Sequence, residues 1–154
     1  MIKLIFLSIL VFLPLKAADT FIVLKVNNEI ITNIDIISET KYLVALNNEL
    51  KDVDKNTIYD LAKESLIREK IKKNEVLKYF KLDTTEEYLD VVVENYYKRL
   101  GINSLDDFKL YLKEYNLELD SIKKKIEIEL FWNRLIGNKY KDQISINKEI
   151  LQKR

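Results

Sequence analysis

The chain has 154 residues, and its 26 Lys and Arg against 25 Asp and Glu give a formal net charge of only +1. Mixed charges of this kind provide no concentrated basic face for nucleic acid. The absence of Cys and His excludes a thiol nucleophile, a Ser-His or Cys-His pair, a disulfide and a zinc site built from these residues.

Two Gly and one Pro are very few turn residues for a chain of this length. Sandwiches and barrels need many tight turns, which Gly and Pro usually supply. Because 47% of the residues are apolar, a sizeable core can still be buried. The composition therefore favours one mainly α domain made of long helices.

Residues 1–18 are predicted to be a secretory signal peptide. Lys3 precedes an apolar run from Leu4 to Leu15. This run is too short for a transmembrane helix, which needs roughly 20 residues. Small residues follow at Ala17 and Ala18, as is typical of a cleavage region. We expect export to the periplasm and a mature domain over residues 19–154, with an uncleaved N-terminal anchor as the alternative.

A short β-hairpin is predicted at the start of the mature chain. The run Phe21–Val26 is apolar and rich in β-branched residues, and Glu29–Ile31 would return as the second strand. The intervening Asn27-Asn28 suits a two-residue turn, because Asn tolerates the left-handed conformation. A two-stranded hairpin leaves unpaired backbone groups at its edges. We therefore predict a docking edge for a partner strand or a second copy, at Phe21, Val23 and Val26; the alternative is that the hairpin only covers the helices.

About five helices are predicted to follow the hairpin. The first begins after Thr32, which Asp35 answers in a capping box, and its predicted apolar stripe is Ile34, Ile37, Tyr42 and Leu46. The second runs from about Thr57 to Phe80.

The later helices have clear start and stop signals. The third is predicted to begin at Thr84 as the N-cap, with Glu87 three residues on, and to stop at Gly101. The fourth starts at Ser104 with Asp107 and ends at Asn116. The fifth runs from about Leu119 to Tyr140, and Ile144–Asn147 is predicted to connect to one further turn. Its Lys123-Lys124-Lys125 run is expected to be a solvated face.

Four segments, in this order and spacing, resemble the N-terminal domain of SurA-type periplasmic chaperones, a family of peptidyl-prolyl isomerases. They are Val26–Ile36, Leu66–Ile71, Gly101–Leu112 and Ile126–Ile136, and the resemblance covers about residues 20–150. It implies a hairpin followed by helices that hold unfolded proteins without ATP. The sequence departs from the family at Asn116, where Gly is frequent, and contains no parvulin domain, whose sites use His.

The resemblance therefore implies the chaperone domain of these proteins without their isomerase domain. We expect no enzyme activity, cofactor or metal, and partners that are unfolded outer-membrane or periplasmic polypeptides. Two alternatives stay open: a truncated parvulin-type isomerase whose catalytic domain is missing, and a membrane-tethered interaction module that keeps residues 1–18.

Aromatic residues are the predicted client-binding surface. Neighbouring residues of a helix point about 100° apart, so Tyr96-Tyr97 and Phe131-Trp132 cannot each lie in one narrow seam. One member of each pair is therefore expected to be exposed or on a second interface. The predicted surface comprises Tyr96, Tyr97, Phe108, Tyr111, Tyr115, Phe131 and Trp132. Ordinary core packing is the alternative for each of these rings.

Overall fold

A computed structural model describes residues 19–141, so the predicted signal peptide and the predicted connector after residue 141 lie outside the described residues. The strands are β1 (Ile22–Val26) and β2 (Glu29–Thr32). The helices are α1 (Asn33–Leu46), α2 (Lys55–Val76), α3 (Glu86–Arg99), α4 (Leu105–Glu114) and α5 (Leu119–Tyr140), and a 3-10 turn (Asn48–Asp52) joins α1 to α2. The predicted fold class is confirmed: a mainly helical chain in which a short antiparallel hairpin precedes five helices.

None of the helices between residues 19 and 141 combines the length and the hydrophobicity of a membrane span.

The hairpin forms where it was predicted. Asn27 adopts the left-handed conformation with φ 53°, which the turn requires. The register places Ile22 opposite Thr32 and Val26 opposite Glu29, with a bulge between Ile22 and Leu24. Thr32 ends β2 and also caps α1, since its hydroxyl accepts the Asp35 N–H at 3.2 Å and the Asp35 carboxylate accepts the Thr32 N–H at 2.8 Å. The strand therefore passes into the helix without a loop.

The later helix ends are largely as predicted. Gly101 has φ 77° and Asn116 has φ 53°, so both stop signals are confirmed. The start of α3 was predicted one residue too early, because Thr85 and not Thr84 is the N-cap. The reason is tertiary: the Thr84 N–H donates to the Glu127 carboxylate of α5, at 2.9 Å.

The bounds of α2 also differ from the prediction. This helix begins at Lys55, where the Asp54 carboxylate accepts two backbone N–H groups at 3.0 Å each. It ends at Val76, short of the predicted Phe80, and the Val76 carbonyl accepts the N–H groups of Tyr79 and Phe80. Asp54 is a favourable cap that the sequence analysis missed.

Helix α5 lies between α2 and α3 and contributes to the core over most of its length. Its Ile122 and Ile126 join a large cluster with Val93, Phe108 and Leu112 of α3 and α4. A second cluster joins the hairpin and α1 to α2. Its buried members are Ile31, Ile36, Ala62 and Leu66.

The predicted apolar stripe of α1 is wrong at its N-terminal end. Ile34 and Ile37 are exposed, while Ile36, Glu39 and Ala45 are buried. The face that meets α2 and α5 includes the carboxylate of Glu39, so hydrophobicity alone marked the wrong side of the helix. The two exposed isoleucines thereby become part of the surface.

The packing of α4 predicts that two substitutions on this helix differ sharply in their effect on the free energy of unfolding. Phe108 is 0% exposed, whereas Leu110 on the same helix is 61% exposed. We expect Phe108→Ala to lower the free energy of unfolding by about 3–5 kcal/mol, because it removes buried contacts and leaves a cavity. Leu110→Ala is the control and should change it by no more than about 0.5 kcal/mol. Urea unfolding followed by circular dichroism measures both, and equal costs would contradict this core assignment.

The ion pairs of Glu29 predict that the contact between the hairpin and α2 contributes a pH-dependent part of the stability. Its carboxylate lies 2.8 Å from the Lys70 ammonium and 3.4 Å from that of Lys73. The hydrogen bond from Lys70 lowers the pKa of Glu29 below its ordinary value of 4.5, against the opposing effect of burial. A carboxyl whose pKa is lowered by folding stabilises the fold above its unfolded pKa and loses that contribution as the pH falls through its folded pKa.

We expect Glu29→Gln to cost up to about 1 kcal/mol of unfolding free energy at pH 7, the range of partly exposed ion pairs. The cost should begin to decline as the pH approaches 4.5 from above and be lost as the pH falls through the lower folded pKa. Glu64→Gln, which breaks an exposed pair with Arg68 on the same helix, should cost no more than about 0.5 kcal/mol. Chemical unfolding at pH 7 and at a series of lower pH values checks the prediction, and a Glu29→Gln cost that stays constant throughout the acid range would refute it.

Candidate functional site

The C-terminal half of α5 is flanked by two open cavities, which we call together the α5 cleft. The first cavity, of about 390 Å³, is lined by Glu75, Tyr79, Phe80, Trp132, Leu135, Ile136, Asn138 and Lys139. The second cavity, of about 530 Å³, is lined by Asp83, Thr84, Thr85, Tyr88, Leu130, Phe131 and Arg134. Aromatic and aliphatic side chains form much of the wall, and charged groups stand among them.

A pair of rings joins the two cavities. Phe80 lines the first and Phe131 lines the second, and their ring centroids are 5.4 Å apart. The guanidinium of Arg134 lies 5.2 Å from the Phe80 ring, in a cation–π contact. Phe80 follows the end of α2, where the Val76 carbonyl holds its N–H at 2.9 Å. The α2–α3 connection therefore brings an aromatic side chain onto α5.

The Trp132 side of the cleft is held by an ion pair. The Lys72 ammonium lies 5.9 Å from the Trp132 ring and contacts both carboxylate oxygens of Glu129, at 2.6 and 2.7 Å. Glu129 and Trp132 are three residues apart, so they share one side of α5. Trp132 is thus positioned by α2 while its ring still lines the cavity.

Two of the predicted client-binding residues lie in the cleft. Trp132 is half-buried and lines the first cavity, whereas Phe131 is buried and forms part of the wall of the second. The two neighbours separate as the 100° offset of helical residues requires. Tyr79 and Phe80 were not predicted as site residues; the sequence analysis placed them at the end of α2, whereas they lie in the connection that follows it.

The other five predicted aromatics lie outside the cleft, and the prediction of a binding surface is wrong for the two that are buried. Tyr97 and Phe108 are buried in the α3–α4–α5 cluster, with ring centroids 5.6 Å apart. Tyr96, Tyr111 and Tyr115 are half-buried and pack against the same cluster. Tyr97 and Phe108 therefore serve as core, whereas Tyr96, Tyr111 and Tyr115 border it.

Tyr111 illustrates the structural role of these residues. Its hydroxyl donates to the Ala45 carbonyl at 2.7 Å, which ties α4 to the end of α1. Its ring centroid lies 5.2 Å from that of Tyr115. Burial is the main cause that raises the pKa of Tyr111, so the hydroxyl stays protonated at neutral pH. These contacts give Tyr111 a structural role, in which it joins α4 to the end of α1.

The predicted docking edge is only partly available. Val23 and Val26 pack against the hairpin–α1–α2 cluster, whereas the Phe21 side chain is exposed. The Phe21 backbone is already bonded, because its N–H donates to the Asn33 side-chain oxygen at 2.9 Å and its carbonyl accepts the Asn33 N–H at 3.1 Å. Within residues 19–141 the sheet has two strands. The Phe21 end of β1 therefore offers a side chain and not a free backbone edge.

A buried ion cluster lies where α1, α2 and α5 meet. Glu39 is 2% exposed, its carboxylate lies 2.7 Å from the Lys125 ammonium, and it accepts the Ser65 hydroxyl at 2.7 Å. Lys125 also contacts Glu69 and lies 4.8 Å from the Tyr42 ring. A cavity of only about 90 Å³ adjoins this cluster.

Each charged group of this cluster has a partner of opposite charge, which argues for a structural role. Burial alone would lower the pKa of Lys125, but the attraction of Glu39 and Glu69 outweighs it and the pKa is raised. Burial raises the pKa of Tyr42. Across residues 19–141, no buried side-chain nitrogen or oxygen lacks a hydrogen-bond partner. In the same range no group of His, Cys, Asp or Glu is arranged to hold a metal ion.

The predicted solvated face of Lys123-Lys124-Lys125 is therefore wrong for two of its members. Lys125 enters the ion cluster, and Lys123 lies 2.5 and 2.7 Å from the carboxylates of Glu86 and Asp90 on α3. Only Lys124 is exposed. Lysines on neighbouring faces of α5 thus pair with three helices, Lys123 with α3 and Lys125 with α1 and α2.

Comparisons with known proteins find no matching family model, no matching curated protein and no matching solved structure.

The ion cluster predicts a large cost for removing its cation. Lys125→Met would leave the Glu39 carboxylate buried without its counter-charge, so we expect a loss of about 3–5 kcal/mol of unfolding free energy. Lys124→Met is the matched control and should change it by no more than about 0.5 kcal/mol. Adding Glu39→Gln to Lys125→Met should recover part of the loss. Urea unfolding measures all three variants, and equal effects of the two single changes would disprove the assignment.

Proposed function

We propose that this protein is an exported, ATP-independent holdase that binds unfolded polypeptides through the α5 cleft. The observation that carries the proposal is the cleft itself, which is walled by Tyr79, Phe80, Trp132 and Leu135 beside a core that is already complete. Aromatic side chains provide large apolar contact area together with polar edges that tolerate water. Such a surface suits polypeptides of varied sequence better than one small molecule.

The sequence resemblance supports the same function. One of its four segments forms part of the cleft: Ile126–Ile136 supplies cavity-lining residues from Leu130 to Ile136. Membership of the SurA-type chaperones is part of the proposal. So are the periplasmic location, which follows from the predicted signal peptide, and the clients, which are unfolded outer-membrane or periplasmic polypeptides.

The size of the cleft fits weak, reversible binding. Burying about 400 Å² of apolar surface at roughly 25 cal/mol per Å² gives about 10 kcal/mol before costs. Lost translational freedom and the ordering of the client offset several kcal/mol of this gain. The remainder, at most about 6 kcal/mol, corresponds to dissociation constants of tens of micromolar or weaker. A carrier that releases its client without ATP needs an affinity in this range.

The cleft predicts that client holding depends on its aromatic wall. We expect the double change Tyr79→Ser with Trp132→Ser to weaken suppression of client aggregation at least about fivefold, the equivalent of about 1 kcal/mol. The matched control is Val91→Ser with Leu110→Ser, which removes exposed apolar side chains outside the cleft. The control should hold clients as well as the unchanged protein does.

The measurement is light scattering after a urea-unfolded outer-membrane barrel protein is diluted into excess chaperone. Circular dichroism of each variant checks that the fold is intact. If the unchanged protein fails to suppress aggregation at several-fold excess, the proposed function is wrong. If both double variants behave alike, the function stands but the α5 cleft is not the binding surface.

A further inference from the structure

Two cations of the α5 cleft have no counter-charge among the described residues. Lys139 lines the first cavity and Arg134 lines the second. Neither side chain takes part in any of the ion pairs formed within residues 19–141. In the first half of α5, by contrast, Lys123 and Lys125 each contact two carboxylates. The lysines that α5 turns toward its neighbouring helices are therefore paired, whereas the cations of the cleft are not.

Arg134 stands where the two cavities meet. Its exposed guanidinium lies 5.2 Å from the centroid of the Phe80 ring, and Phe80 lines the first cavity. The helix dipole does not account for this position, because it favours cations only within the last turn and α5 continues to Tyr140. Lys139 lies in that last turn, which already accounts for its charge. Arg134 is therefore the cation whose place in the cleft points to a ligand.

The acids of the cleft do not satisfy Arg134. Glu75 of the first cavity is paired with Lys78, whose Nζ lies 2.5 Å from its carboxylate. Asp83 lines the second cavity beside Arg134, but it too takes part in none of the ion pairs within residues 19–141. The guanidinium is thus open to a carboxylate that a guest brings into the cleft.

A carboxylate on an extended peptide suits this arrangement. The guanidinium is planar, and the fork geometry of its N–H donors matches a carboxylate. In an extended chain, side chains two residues apart point to the same side. One client segment can therefore present an aromatic ring to the wall around Trp132 and a carboxylate to Arg134.

We propose that the α5 cleft selects client segments in which an Asp or Glu side chain lies two residues from an aromatic one, and that Arg134 binds the carboxylate. The inference rests on the proposed holdase function and adds a preference for acidic over basic segments. Arg134 attracts a carboxylate and repels a lysine in the same place. For exposed charges, an interaction of this kind changes the affinity about fivefold.

The single tryptophan of the sequence makes a direct test possible, because Trp132 lines the first cavity and its fluorescence reports binding there. The full chain is titrated with two short peptides that contain Phe but no Trp or Tyr and have both ends blocked. They differ only in carrying Glu or Lys two positions from each Phe. We expect the Glu peptide to bind at least about fivefold more tightly than the Lys peptide. Salt at about 1 M should remove most of this preference by screening.

Variants of Arg134 locate the preference. Arg134→Gln should reduce the ratio of the two affinities to below about twofold, and Arg134→Glu should reverse it. Arg99→Gln is the matched control, because Arg99 is exposed at the end of α3 and lines neither cavity of the cleft. It should leave the ratio unchanged. Each ratio compares two peptides on the same variant, so a general weakening of the cleft through the lost Phe80 contact cancels.

The outcomes separate this inference from the holdase function. Equal binding of the two peptides overturns the inference and leaves the holdase function standing, as does a preference that persists in Arg134→Gln. A Gln peptide with a free C-terminal carboxylate that binds as tightly as the Glu peptide overturns it in favour of a chain end. If neither peptide binds, the inference is wrong, and light scattering with the unfolded barrel protein decides the holdase function separately.

Discussion

The burial of α5 between α2 and α3 is the constraint on which the rest of the structure depends. This helix has 22 residues and is apolar on more than one side, so a single neighbour cannot cover it. Ile122 and Ile126 complete the core with α3 and α4, while Ile128 and Phe131 are buried further along. An apolar stripe wider than one packing seam needs partners on both sides.

The α5 cleft follows from the lengths of the neighbouring elements. Helix α2 ends at Val76 and α3 begins at Glu86, and the connection between them brings Phe80 onto the second half of α5. One ring from that connection packs on Phe131, and cavities are left on either side. A longer α2 would cover Trp132, and the cleft would become ordinary core. Because α2 is too short to cover this apolar surface of α5, binding of a client there is physically reasonable.

Local signals in the sequence predicted the elements well, and the tertiary arrangement explains the misses. The Asn27 turn, the Thr32 capping box, Gly101 and Asn116 act within a few residues, so the sequence contains their full cause. The burial of Glu39 and Lys125 instead depends on a contact between α1 and α5, which no single helix reveals. The seven predicted aromatics were chosen by residue type, and only packing decides which rings fill the core and which line a cavity.

Ion pairs explain how the domain keeps apolar surface open without collapsing onto it. Lys125 lies between Glu39 and Glu69, and Lys123 lies between Glu86 and Asp90. Each lysine can keep both of its partners only while α5 holds its present position relative to the neighbouring helices. Apolar contacts supply most of the folding free energy but specify relative position poorly, whereas a misplaced buried charge costs several kcal/mol. A sliding movement of α2 toward the cleft would separate Lys72 from Glu129 and Lys125 from Glu69. These pairs therefore favour the observed arrangement of α2 and α5, in which Trp132 lines the first cavity.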